Sequence, residues 1–267
     1  MKNNNLSARL LLGHIILLSF TLNLFAAPAP IITSTLDHLD KQENKFGIGF
    51  TSSVAERPFV GVDDQSASLL YLSYRNDYFY VEGLDIGFNV YKNKTSSLDI
   101  LGTPRFYEVK ESFASNGELN GIDETKPSYF AGLSSQIRTD LFTYTFQILH
   151  DLIDSDGNEF VAQGSKSFNT SHNFTLTPSV GFVYQDKKLI DHYYGVHANE
   201  VIAGRPQYTG KGSLNYNVTL NTNWSATKHI DILGQVKYEK LGSGITDSPI
   251  TDKDTVLFFT LGAVYRF

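Results

Sequence analysis

From residue 45 onward, hydrophobic and polar positions alternate with a period of two. The clearest stretch is 212–224, where Leu214, Tyr216, Val218, Leu220 and Trp224 share one parity. Ser213, Asn215, Asn217, Thr219, Asn221 and Asn223 share the other. Successive side chains of a strand point to opposite faces, so this segment predicts a strand with one greasy and one polar face. The same pattern predicts strands over 45–55, 66–75, 97–109, 128–138, 142–153, 173–184, 229–241 and 256–267, and a weaker one over 159–168. Residues 78–92 alternate as Tyr78, Tyr80, Leu84, Ile86, Phe88 and Val90, with Glu82-Gly83 as a turn that splits them into a short hairpin. Pro104 marks an irregular point in its strand.

The last stretch organises the rest. Counting back by twos gives Phe267, Tyr265, Ala263, Leu261, Phe259 and Leu257, all apolar, whereas Arg266, Val264, Gly262, Thr260 and Phe258 are more mixed. Terminal strands of water-soluble domains tend to fray, and a terminal aromatic gains little burial there. In a transmembrane barrel the last strand closes against the first and aromatics mark the membrane interface. Phe259, Leu261, Tyr265 and Phe267 therefore read as a barrel-insertion signal, with the barrel-assembly machinery as an expected partner. A soluble sandwich also alternates, but strands of about ten residues with polar inner faces and aromatics at their ends (Phe142, Tyr184, Trp224, Tyr238) fit a lipid-facing barrel with a wet or polar-packed lumen.

Connections give the strand count. Long loops fall at 110–126, 185–211 and 242–254, and short turns at 76–77, 93–96, 139–141, 169–171 and 225–228. Long external loops and short periplasmic turns are the rule for such barrels. The count is 12 if Glu82-Gly83 is an external turn, and falls back to 10 if 78–92 runs unbroken. The fold class expected is thus an all-β transmembrane antiparallel barrel over 45–267.

The start of the chain adds an export route. Lys2 and Arg9 precede a mostly apolar run from Leu10 to Phe25, and Ala26-Ala27 follow. Residues 1–26 read as a cleaved signal peptide, and 27–44, with Pro28, Pro30 and a charged run, as a periplasmic segment. Absence of cysteine excludes disulfides and zinc–thiolate sites. A net charge of −6 argues against a nucleic-acid partner. High aromatic content, with 19 Phe and 15 Tyr, joins the other signs pointing to the outer membrane, with its lipid and lipopolysaccharide.

Two loops carry a recognisable succession. The long one contains Tyr193-Tyr194-Gly195-Val196, then Glu200, then Arg205-Pro206-Gln207-Tyr208. The next contains Asp247-Ser248-Pro249-Ile250, and the chain ends Tyr265-Arg266-Phe267. In this order, on a barrel pattern, these segments resemble the MipA/OmpV family of outer-membrane proteins. The resemblance implies a non-enzymatic envelope protein. One member of that family is described as a scaffold joining a murein transglycosylase to a murein synthase, and others as immunogenic surface proteins linked to adhesion. A narrow channel for small solutes is the competing reading, from the Asn- and Thr-rich inner faces.

Candidate chemistry is sparse. His150 and Asp151 are adjacent in a strand and point to opposite faces, so they cannot pair as a general base; they read as an interface histidine beside solvated turn acids. His192, His197 and Glu200 match no metal-ligand spacing. Asp63, Asp64 and the 247–254 acids read as solvated loop charge. Lys237, Glu239, Lys240 and Arg105 read as lumen ion pairs. No catalytic, cofactor or metal site is expected. Tyr193–Val196 and 247–250 read as ordered loops folding over the mouth, with Gly195 and Pro249 supplying turn geometry.

Overall fold

A computed structural model describes residues 46–267; the signal peptide and the periplasmic segment expected for 1–44 lie outside them. The chain forms strands β1 (Gly47–Ala55), β2 (Gln65–Arg75), β3 (Phe79–Glu82), β4 (Asp85–Lys92), β5 (Ser96–Arg105), β6 (Ser128–Arg138) and β7 (Thr143–Asp151). They are followed by β8 (Asn158–Ser165), β9 (Phe168–Ser171), β10 (Phe174–Gln185), β11 (Ser213–Ser225), β12 (Ile230–Lys240) and β13 (Thr255–Arg266). Every neighbouring pair is antiparallel, β10 pairs β11, and β13 pairs β1, so the sheet closes on itself. Both β8 and β9 lie on the same edge of β10, so thirteen segments fill twelve wall positions.

Burial runs opposite to that of a protein folded in water. On β11, Ser213, Asn215, Asn217, Thr219 and Asn221 are buried while Leu214, Tyr216, Val218 and Leu220 are exposed. β1 repeats this, with Ile48, Phe50 and Val54 outward and Thr51 and Ser53 inward. An exposed apolar belt that encircles the molecule is costly in water and favourable in lipid. Tyr78, Phe142, Phe168, Trp224, Phe46 and Phe267 ring the end that carries the short turns, and Tyr184, Tyr216 and Tyr238 lie toward the other. Such girdles sit at the two membrane interfaces. At the seam, Tyr265 meets Phe267 edge-on at 5.0 Å and Phe46 meets Phe267 at 5.7 Å. No helix among the described residues is long and apolar enough to cross a membrane.

Several local expectations change. Gly83 takes φ +62° in the β3–β4 turn, which confirms the split that yields twelve strands. That turn holds only residues 83 and 84, so parity inverts across it: Tyr80 is buried inside while Ile86 and Phe88 face lipid. Pro104 does not interrupt β5 but pairs in register with Tyr129, and the strand ends at Arg105. Residues 169–171 extend a strand, leaving 172–173 as the turn. The 185–211 stretch contains a helix, α1 (Lys187–Tyr194), and the following loop a shorter one, α2 (Ser243–Thr246).

Candidate functional site

At the end opposite the short turns, the long connections fold over the mouth and share an apolar core. α1 starts because Asp186 caps it, its carboxylate accepting from the Leu189 N–H at 3.0 Å. Leu189, Ile190, Tyr193 and Tyr194 fall on one face and are buried. They pack with Phe59 from 56–64, Leu119 and Ile122 from 106–127, and Ile245 and Ile250 from 241–254. Phe59 stacks on Tyr194 at 5.4 Å. Wall residues Leu101, Phe130 and Leu149 complete this core, so the cap is continuous with the barrel interior.

Polar struts fix the loops to one another. Arg205 is buried and donates to the Glu200 carbonyl at 2.9 Å, to the Asn120 carbonyl at 2.7 Å and to the Glu118 carbonyl at 3.3 Å. The Glu200 carboxylate accepts from the Asp123 N–H at 2.7 Å and from the His197 N–H. Ser248 Oγ donates to the Tyr194 carbonyl at 2.6 Å, and Tyr208 Oη to the Gly244 carbonyl at 2.8 Å. Val196 and Tyr208 form a two-way backbone bridge. Tyr193, Tyr194, Val196, Glu200, Arg205, Tyr208, Ser248 and Ile250 are therefore brought together as parts of the cap, whereas Pro206 and Asp247 are exposed on it. Gly195 is needed for a different reason than turn geometry. Its φ is −66°, but a Cβ there would lie 2.2 Å from the Asp191 carbonyl oxygen.

Beneath the cap the lumen is packed with charge. Arg105 pairs with Glu159 at 2.7 Å, and Tyr107 Oη donates to the same carboxylate at 2.6 Å. Lys237 meets Glu239 at 2.6 Å, and Arg266 meets Asp231 at 2.5 Å and Ser73 at 2.9 Å. Lys240, expected among these lumen pairs, instead reaches outward to Asp254. Buried ion pairs add little net stability, yet removing one partner costs about 3–5 kcal/mol, so they lock the wall in one arrangement.

Sequence reasoning missed Arg57 and Glu108. Arg57 donates to the Phe106 carbonyl at 2.8 Å and to the Glu108 carbonyl. The Glu108 side chain is fully buried, and among the described residues neither of its carboxylate oxygens has a hydrogen-bond partner. Burial pushes its carboxyl above the usual range, with Arg57 pulling the other way; burial likewise lowers Arg57. The two residues come from separate loops, and the local hint was the apolar set Phe59, Val60 and Val62 inside a supposed loop.

The remaining candidates disperse. Asp151 is buried rather than solvated, held by Ser128 and by the Ser155 N–H at 3.0 Å. His150 faces outward, 3.1 Å from Asn158 and 3.4 Å from Asp156. His192 lies 3.8 Å from Asp154, apart from His197 and Glu200. Asp64 approaches Lys253 at 3.9 Å, and Asp63 accepts from Ser115 at 3.1 Å. Among the described residues no group of three or more His, Cys, Asp or Glu could hold a metal.

A closed barrel with a lipid-facing apolar belt, a polar-packed lumen and long loops on one side only defines an outer-membrane β-barrel protein. The chain belongs to the family described as MltA-interacting protein MipA, whose model matches residues 48–267. The MltA-interacting protein of Escherichia coli K12 is 23% identical over 89% of this chain and 96% of its own length. The putative outer membrane protein YiaT of the same organism is 23% identical over 84% of this chain and 92% of its own. Among solved structures, the translocator domain of autotransporter NalP from Neisseria meningitidis has a TM-score of 0.51, covering 86% of this chain and 91% of that one at 10% identity, a likeness of fold alone.

Proposed function

We propose that this protein is a non-enzymatic interaction barrel that ties a murein transglycosylase, and through it a murein synthase, to the outer membrane. The observation that carries this reading is the likeness to the MltA-interacting protein over nearly that protein's whole length. A capped mouth favours it over an open pore. The partner surface is the periplasmic one: short turns at 76–78, 93–95, 139–142, 172–173 and 226–229, with the 27–44 segment as the reach toward murein. Asp77, Lys94, Asp140, His172 and Lys228 are exposed there and supply polar contacts. Residues 1–26 export the chain, and Phe259, Leu261, Tyr265 and Phe267 address it to the assembly machinery.

Affinity capture of the tagged protein from envelope extracts tests this. It should recover a lytic transglycosylase, and deletion of 27–44 should lower the yield while the barrel still assembles. Recovery of no murein-processing enzyme by the full chain overturns the proposal. A narrow channel for small solutes is the second reading, motivated by the polar inner faces of β10 and β11; an adhesive role of the cap surface is a third.

A further inference from the structure

The wall is not of even height. β2 has 11 residues and β5 has 10, but the hairpin between them has a first strand of only four. β3 pairs with β2 only from Ser73 to Arg75, and the turn reaches Leu72, whose carbonyl accepts from the Gly83 N–H at 2.7 Å. Above that point, among the described residues, β2 is paired with β1 alone.

The geometry shows which groups this leaves unpaired. Leu72 turns its backbone toward β3. By the alternation of the strand, Leu70, Ser68 and Ser66 turn theirs to the same side. The Ser52–Ser68 pair agrees: its hydroxyls are 2.7 Å apart, as side chains are when two residues do not exchange backbone bonds. Across the gap, the Tyr129 carbonyl is engaged by the Leu152 N–H, so its partner Pro104 faces the gap. Proline has no N–H to leave unsatisfied, and its carbonyl accepts from Arg105 at 3.2 Å.

Depth and surroundings identify the occupant. Ser66 and Ser68 sit level with Phe259 and Leu261 across β1, both half exposed on the lipid face. Open strand edges at that depth are costly unless something satisfies them. Leu70, Leu84 and Ile86 flank the gap and face outward. Ala67 and Leu69 carry the inward parity yet are only half buried, whereas every inward residue of β1 is buried. Above, Val62 bridges to Ala114 and the Ser115 N–H donates to the Gly61 carbonyl, so the loops arch over the gap and the cap closes the end-on route. We propose that this gap is a lateral portal between lumen and outer leaflet. Its occupant is an acyl-chain amphiphile: the tail lies on the apolar flanks, and the polar head bonds to the free backbone edge of β2 and enters the polar lumen.

Single-cysteine labelling tests this directly, since the chain has no cysteine of its own. Leu69→Cys and Ala67→Cys report on the gap, Thr51→Cys on the inner face behind the full wall, and Phe50→Cys on the lipid face. Each variant is first shown to assemble by heat-modifiable migration. In phosphatidylcholine liposomes, an acyl-tethered maleimide should label both gap cysteines at least about tenfold faster than Thr51→Cys. Added lysophosphatidylethanolamine should slow the gap positions and leave Phe50→Cys unchanged. The portal is overturned if the gap cysteines label no faster than Thr51→Cys, or only with a water-soluble maleimide, which would mean an aqueous path. It is equally overturned if an extended peptide, and not the lysolipid, protects them, which would mean a strand-addition site.

Discussion

The seam and the β2–β5 sector are built from similar residues and held in opposite ways. β13 has nine register pairs with β1 and eleven with β12. β2 has nine with β1 but three with β3. At the seam every residue of β1 has a register partner on β13, and the aromatic end of β13 packs on Phe46 and His229. In the sector, the backbone itself becomes the exposed polar surface. The difference teaches that side-chain alternation sets which face meets lipid, whereas pairing length sets whether the wall is continuous. Only the first of these is visible in composition and parity.

A proline scan breaks the comparison most sharply. Leu261→Pro removes a ladder bond in a strand paired on both sides and should cost about 3 kcal/mol or more, abolishing assembly by gel heat-modifiability. The cap comes next. Gly195→Val places a side chain against the Asp191 carbonyl, and Arg205→Ala releases three loop carbonyls; each should lower cap stability by about 2–3 kcal/mol. Limited proteolysis within 106–127 and 186–212 would read this out, while the barrel remains heat-modifiable.

Glu108 gives a pH dependence. Its carboxyl is raised by burial, so its contribution to cap stability is fully present below the ordinary glutamate value. That contribution is lost as pH rises from there through the raised value and is flat above it. Proteolysis of the cap as pH rises from the ordinary glutamate value should show this slope, and Glu108→Gln should flatten it. Smallest of all is Ser68→Pro. The N–H it removes points into the gap, so the change should cost about 1 kcal/mol or less. A loss as large as that of Leu261→Pro would mean that the β2 edge is paired after all.

The barrel was legible because lipid outside and polar packing inside impose period-two alternation on strand after strand, and 212–224 or 256–267 each display it alone. The cap segments were legible as well, through Tyr193–Val196 and 247–250. The helix 187–194 was not, although Leu189, Ile190, Tyr193 and Tyr194 share its buried face, because one helix of eight residues between strands offers little periodicity. Tyr80 was misplaced because a two-residue turn inverts parity. Arg57 and Glu108 meet only when two distant loops fold over the lumen, and no spacing along the chain encodes that.

Planar-bilayer recording of the refolded chain tests most directly the claim that the cap seals the mouth of a polar-packed barrel. The native protein should give no conductance steps, whereas Arg205→Ala, with its loops released, should flicker open. Stable steps from the native protein would contradict the sealed mouth and return the protein to the class of channels.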